Sequence, residues 1–239
     1  MKITQIREKE GVETLSVLAL DSLVEKIKTE IKTRPVSGLR QALHFVVPGD
    51  RCTLADRLPK IIPAAVFGRV AGVKRMKSYN GVVELSVGPL AGKAEVELVK
   101  KRAAELPQTK LAFAGSSEKT VKIWVCFTRP DGTLPQIREE AELFQAHAYR
   151  LAVKCYQPQI PFEIQLKEPH LEQYSRLSHD PEPYYRKDSV PFYLSQPLGM
   201  PKETTYREKM AAEKSPLNRT VPGYETKDAL ALLYESVLR

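Results

Sequence analysis

The chain is poor in the residues on which several protein classes depend. It has 3 cysteines in 239 residues, Cys52, Cys126 and Cys155, widely spaced and without a CxxC pair. An odd, scattered set argues against a disulfide framework or a zinc knuckle and fits a reducing compartment. Histidine is as scarce: His44, His147, His170 and His179 never show the spacing of a helix-borne metal site such as HExxH. No run approaches the roughly 20 apolar residues of a membrane-spanning helix. The start, Met1–Gln5, lacks the apolar stretch of a secretion signal. The expectation is therefore a cytoplasmic protein with no membrane partner. Glycine thins out along the chain, with 2 of 12 lying beyond Gly132, while 10 of the 18 prolines fall in 158–222. A Pro-rich, Gly-poor stretch reads as extended segments wrapping a preformed body. There is no internal repeat.

What the chain has is positive charge. Lys and Arg number 37 against 29 Asp and Glu, a net of +8, and the 42% hydrophobic content is enough for a packed core. The excess is local. Residues 1–155 carry a net of +9 and residues 156–239 a net of −1. The stretch 36–77 alone contributes +6, from Arg40, Arg51, Arg57, Lys60, Arg69, Lys74, Arg75 and Lys77 against Asp50 and Asp56. Such a cluster suits a phosphate-backbone contact surface, where neutralising phosphates releases counterions. A solvated surface of mixed charge is the plainer alternative.

Periodicity predicts a short strand at Lys2–Ile6 and a helix over 21–30, capped by Asp21, with Leu23, Val24, Ile27 and Ile31 at helical spacing. A second helix is expected over 37–47, stopped by Pro48-Gly49, and a short third one from Thr53. The middle alternates more clearly. Strands are expected at 81–87, 110–114 and 120–127, helices at 93–106 and 136–155, and a last extended stretch at 162–167. The order strand, helix, strand, strand, helix, strand is the split βαβ pattern of ferredoxin-like and RNA-recognition-like folds, an antiparallel sheet with two helices on one face. The fold class is thus α+β. The regions are an N-terminal helical, basic part (1–77), the sheet-bearing part (78–200) and a C-terminal extension (201–239) with an amphipathic helix at 227–238.

Alternation leaves Glu84, Ser86, Lys122 and Trp124 on the sheet face away from the helices. The first and third strands are neighbours in this topology, so the four side chains come together. A charged and aromatic open face stacks bases and binds phosphate; covered by other segments, it makes the single tryptophan a core residue. Polymerase and primase palms share this layout and hold metal ions with two carboxylates on one strand. Here Glu84 is a metal ligand candidate, while Ser86 is a poor ligand for a hard cation.

The runs Leu58–Gly68 and Ser78–Val87 resemble the VirE amino-terminal-like domain of Bacteroides-type mobile-element and phage-like proteins, which is related to the archaeo-eukaryotic primase–polymerase superfamily. Similar stretches recur at Gly115–Lys122, Gln145–Gln159 and Tyr174–Pro181, so the resemblance spans most of 1–200. It implies a primase-like palm in which Glu84 and Ser86 stand where an Asp-x-Asp pair is expected. It also implies a Gly-rich turn in which Ser117 and Lys122 fit but Glu118 and Thr120 replace glycines. A third acidic position falls on Glu163 or Glu168. The glycine losses bear on phosphate binding, which needs close backbone approach.

The leading expectation is a catalytically degenerate primase-like domain that binds nucleic acid, most readily DNA, in mobile-element replication or mobilisation. Arg69, Lys74, Arg75 and Lys77 would contact phosphates, with Lys122, Trp124 and Arg176 near the former catalytic positions Glu84, Ser86 and Lys122. Arg176 can equally hold down the Pro-rich segment through Glu172 or Asp180. The sequence singles out no cofactor, and Mg or Mn enters only if the site is active. An active nucleotidyltransferase using Glu84 with Mg or Mn is the first alternative. A protein-interaction module recruiting a helicase, primase or relaxase, as a separate partner or a fused domain of a longer chain, is the second. An occluded Glu84 face without a second carboxylate favours that last reading. His179-Asp180 forms a catalytic dyad only on paper, since no nucleophile motif accompanies it.

Overall fold

Gly11, at φ +76°, helps reverse the chain after its first strand, and β1 (Lys2–Lys9) pairs antiparallel with β2 (Val12–Ala19) along its whole length. The structure, a computed structural model, describes residues 1–9, 11–30, 34–45 and 53–194. Next comes α1 (Leu20–Lys28), whose Leu20, Leu23, Val24 and Ile27 form a buried stripe. Asp21 does not cap it. The N-cap is Ala19, and Asp21 sits in the first turn, where its carboxylate accepts a hydrogen bond from the Tyr185 hydroxyl at 2.9 Å. A negative charge there still complements the helix dipole. Pro35 pre-sets the first turn of α2 (Pro35–Leu43). The expected stop at Pro48-Gly49, together with Arg51 and Cys52, lies outside the described residues. The third expected helix is a 3₁₀ turn, Thr53–Arg57.

Three strands follow: β3 (Lys60–Ile62), β4 (Ala65–Val70) and β5 (Val73–Tyr79). Residues 1–77 are therefore rich in strand as well as helix. The cations on β5 and the short β3 hide the alternation that a strand reading needs.

The middle of the chain follows its pattern. Here β6 (Val82–Val87), α3 (Lys93–Glu105), β7 (Thr109–Ala114), β8 (Val121–Thr128) and α4 (Arg138–Tyr156) appear in the expected order. β8 lies between β6 and β7, antiparallel to both. At the outer edge of β6 the stretch 162–167 adds one bridge, Val87 to Ile164, and two backbone bonds, Gly88 N–H to Glu163 O and Gln165 N–H to Ser86 O. One face packs under α3 and α4, where Leu85, Ile123 and Val125 meet Val99, Ala103, Phe144 and Ala148 in a buried layer. The architecture is α+β with open antiparallel sheets.

The Pro-rich segment is an extended wrap as far as residue 194. β9 (Ser175–Arg176) completes an N-terminal sheet of order β2-β1-β3-β9. β10 (Tyr184–Tyr185) pairs with β7, and β11 (Phe192–Tyr193) runs parallel to the end of β8. The amphipathic helix expected at 227–238 lies outside the described residues.

Asp180 fastens the wrap. Its carboxylate receives the Lys100 ammonium at 2.9 and 3.1 Å, the Ala114 N–H at 2.8 Å and the Glu182 N–H at 3.0 Å. Its own N–H donates to Ile27 O at the end of α1. Both side chains of the ion pair are only 5% exposed. Every oxygen of this carboxylate is thus spent on structure, and His179, whose Nδ1 lies 3.8 Å from Glu30, does not reach it as a dyad partner. Lys100 also lies 2.9 Å from the half-exposed Glu97 carboxylate, so removing Asp180 takes away its buried counterion and leaves only that solvent-screened one, along with the Ala114 and Glu182 N–H groups that lose their acceptor. Asp180→Ala is expected to destabilise the fold by about 3–5 kcal/mol in urea unfolding; a loss below about 1 kcal/mol would show that the pair is solvent-screened.

Candidate functional site

The register of β6 against β8 brings the sequence-picked residues together. Glu84 faces Trp124, and Ser86 faces Lys122. The Trp124 indole N–H donates to Glu84 Oε2 at 2.9 Å, and Lys122 Nζ donates to Ser86 Oγ at 2.9 Å. Ser86 Oγ in turn donates to Gln165 Oε1 at 3.1 Å. Lys122 Nζ lies 3.9 Å from Glu84 Oε1, which is buried and accepts no hydrogen bond. Burial lowers the Lys122 pKa; Glu84 opposes that shift, while the like charges of Lys167 and Arg176 add to it. Gln165 had no signal of its own in the sequence, since its segment reads only as extended.

This face is not open. Trp124 is 0% exposed and packs in a core with Leu23, Val24 and Ile27 of α1, Ile3 and Ile61 of the N-terminal sheet, and Val82, Leu111 and Phe113. Its ring meets Phe113 edge-on at 6.0 Å. The expected stacking platform is corrected on this point: α1 and the β1–β3 strands cover it, and the indole is spent on Glu84. The same alternation that exposes a residue in an isolated sheet buries it when a second layer is added.

The donor set does not fit a two-metal centre. Glu84 is 5% exposed, its second oxygen faces a lysine ammonium, and Ser86 is engaged by Lys122. Among the described residues no group of three His, Cys, Asp or Glu side chains is placed to hold a metal. Glu163 and Glu168 are both exposed. Arg176 pairs through Nη2 with Asp56 Oδ1 at 2.7 Å, and not with Glu172 or Asp180. That pairing ties the wrap to the 3₁₀ turn, while its Nε is buried and donates to nothing.

The turn between β7 and β8 is held by a side chain from outside it. Glu118 adopts φ +60°, a left-handed conformation that glycine takes without cost. Thr120 Oγ1 would lie 2.2 Å from a Cβ on Gly115, so that glycine is required. The turn carbonyls of Gly115 and Ser116 accept hydrogen bonds from Arg40, whose guanidinium also pairs with Glu118 at 2.8 Å and donates to His179 O. A protein cation occupies this turn where a phosphate cradle would present backbone N–H groups.

The basic residues 69, 74, 75 and 77 all fall on one hairpin, β4–β5. Ala71 (φ +49°) and Gly72 (φ +79°) turn it tightly, and Val70 and Val73 at its tip are exposed. Arg69 is opposite Lys74, and Gly68 is opposite Arg75. Two of the four cations are partly engaged. Lys74 pairs with Glu172 at 2.9 Å and lies over the Phe67 ring, and Arg69 donates to Glu13 O. Arg75 and Lys77 are exposed on the opposite face, and the Lys77 chain lies across Gly68, where a Cβ would meet it at 2.2 Å.

A family model described as the N-terminal domain of BT4734-like proteins matches residues 53–185, just over half of the chain. No curated protein and no solved structure matches it.

Trp124 is the only tryptophan, so its emission reports the buried cluster directly. Glu84→Ala leaves the buried indole N–H without its acceptor and removes the carboxylate facing the Lys122 ammonium, which keeps only Ser86, and a loss of about 3 kcal/mol is expected in urea unfolding followed by that emission. Glu84→Gln keeps an acceptor and is expected to lose less. Equal losses for the two would show that the indole bond contributes little.

Proposed function

The chain belongs to the BT4734-like N-terminal domain family, and on that premise we propose that it is a catalytically degenerate primase-like domain that binds nucleic acid through the β4–β5 hairpin. One observation carries the reading: Arg69, Lys74, Arg75 and Lys77, clustered within nine positions of the sequence, share a single β-ribbon whose tip is exposed. A two-stranded ribbon fits the major groove of a DNA duplex, and exposed cations on it neutralise phosphates. The succession β6-α3-β7-β8-α4 with the Ile164 bridge supports a ferredoxin-like palm of the primase kind. The covered, lysine-paired Glu84 supports loss of nucleotidyl transfer at that palm. The resemblance to the VirE amino-terminal-like domain supports a role in replication or mobilisation of a mobile element, and the proposed site of action is the cytoplasm. No helix among the described residues is long and apolar enough to cross a membrane.

The covered face also favours a second reading, a protein-interaction module that recruits a helicase, primase or relaxase and touches no DNA. The exposed cations of the hairpin keep nucleic acid first.

Titrations of single- and double-stranded oligonucleotides at several salt concentrations test this. Affinity is expected to fall with salt. Arg75→Ala/Lys77→Ala should lower the duplex salt slope by about 2 while Trp124 emission stays unchanged on binding. No affinity for either form would hand the function to the interaction module. Binding that quenches Trp124 and ignores the hairpin variant would return the site to the sheet face.

A further inference from the structure

Among the described residues, the edges of β3, β5, β6 and β7 are guarded, whereas along the long edge of β2 the one side-chain contact to an outward backbone group is Arg69 at Glu13 O. β5 carries Lys74, Arg75 and Lys77 and a register shift at Val66/Phe67, two devices that block edge-to-edge pairing. The outer edge of β6 is met by Ile164, that of β7 by β10, and that of β3 by β9. β2 has no strand on its outer side among the described residues. It pairs with β1 over eight residues without a bulge, holds no Lys, Arg or Pro, and has Glu13 as its one charge. Val12 is 63% and Val17 49% exposed.

The backbone groups of this edge can be assigned. Leu20 N–H donates to Met1 O at 3.0 Å, so that end pair is a hydrogen-bonded one. Alternation along an antiparallel ladder then directs Leu18, Ser16, Thr14 and Val12 toward β1 and leaves Glu13, Leu15, Val17 and Ala19 pointing outward. The Arg69 guanidinium donating to Glu13 O agrees with that assignment.

We propose that β2 is a homodimer interface, pairing antiparallel with β2 of a second copy about a two-fold axis at Ser16. Opposed side chains of a ladder share one face, so a two-fold axis matches odd positions with odd and even with even. Centred on Ser16, all four outward residues find partners. Leu15 meets Val17 of the second copy, Val17 meets its Leu15, and Glu13 and Ala19 meet at the two ends. The two Glu13 carboxylates then stand six positions apart along the ladder, on the order of 20 Å, so the one charge of the edge does not oppose itself. Centred on Leu15, the edge sets each Glu13 against a valine and leaves Ala19 unpaired. The self-complementary register joins two four-stranded sheets into one, and each copy contributes the same isologous patch. This assembly does not depend on nucleic-acid binding.

Sedimentation of the full chain across micromolar concentrations tests it without any ligand. A monomer–dimer equilibrium is expected. Val17→Lys should weaken association by about tenfold or more with an unchanged thermal unfolding curve. Ser16→Cys should form a disulfide-linked dimer under mild oxidation, because the axis sets the two Cα atoms about 4.5 Å apart in a non-hydrogen-bonded pair. Thr14→Cys, four positions from its counterpart, should not, with the wild-type chain controlling for the native cysteines. A chain that stays monomeric, a dimer that Val17→Lys leaves intact, or cross-linking by Thr14→Cys in place of Ser16→Cys would each overturn the proposal.

Discussion

The Asp180 carboxylate joins parts of the chain that nothing else joins so directly. It neutralises Lys100 on α3, receives the last amide of β7 and lies one backbone bond from the end of α1. The layer over the sheet, the sheet itself and the helix beneath it meet at one side chain. Burying an ammonium and a carboxylate costs several kcal/mol for each ion, so the arrangement persists only because their remaining hydrogen-bonding positions are also filled. The wrap follows from this anchor. Leu177 N–H donates to Pro59 O, Ser178 Oγ to Ala114 O and Arg186 N–H to Lys110 O, each within a few residues of Asp180.

With the wrap in place, a second layer covers the sheet. Ten buried residues from α1, β1, β3, β6, β7 and β8 form one apolar core around Trp124. A nucleotide reaching Glu84 would have to displace that core, at about 25 cal/mol for each Å² of apolar surface returned to water. The polar residues at its margin are tuned to one another: the indole to Glu84, Lys122 to Ser86, Ser86 to Gln165. The exposed cations Arg75 and Lys77 lie outside it, on a hairpin whose tip is exposed.

The sequence made the sheet legible because its strands are buried on the helix side and alternate cleanly, as in Val121, Ile123, Val125 and Phe127. It also grouped Glu84, Ser86, Lys122 and Trp124 on one face, since strand order alone makes β6 and β8 neighbours; the register that opposes Glu84 to Trp124 and Ser86 to Lys122 comes from the structure. It did not show that their face is covered. That depends on α1 and β3 docking from outside the β6–α4 succession, a long-range choice that period cannot encode. β4 and β5 escaped for a local reason: four cations in nine positions read as a basic cluster before they read as a strand. The Arg176–Asp56 pair links residues 120 apart, and composition gives no preference for Asp56 over the nearer Glu172.

The pairing of β3 with β9 has a consequence for synthesis. A chain made from its N-terminus has β1, β2 and β3 in hand early, but the strand that borders β3 arrives more than 110 residues later, followed at once by Asp180. Until then Lys100 has no deep counterion, and the N-terminal sheet ends in an unpaired edge. Contacts of such sequence separation are slow to form and leave apolar surface exposed while they wait. Locking therefore waits on the end of the described chain: β9, β10 and β11, which border the two sheets, all lie in the Pro-rich segment, whose scarcity of glycine limits the conformations it must search.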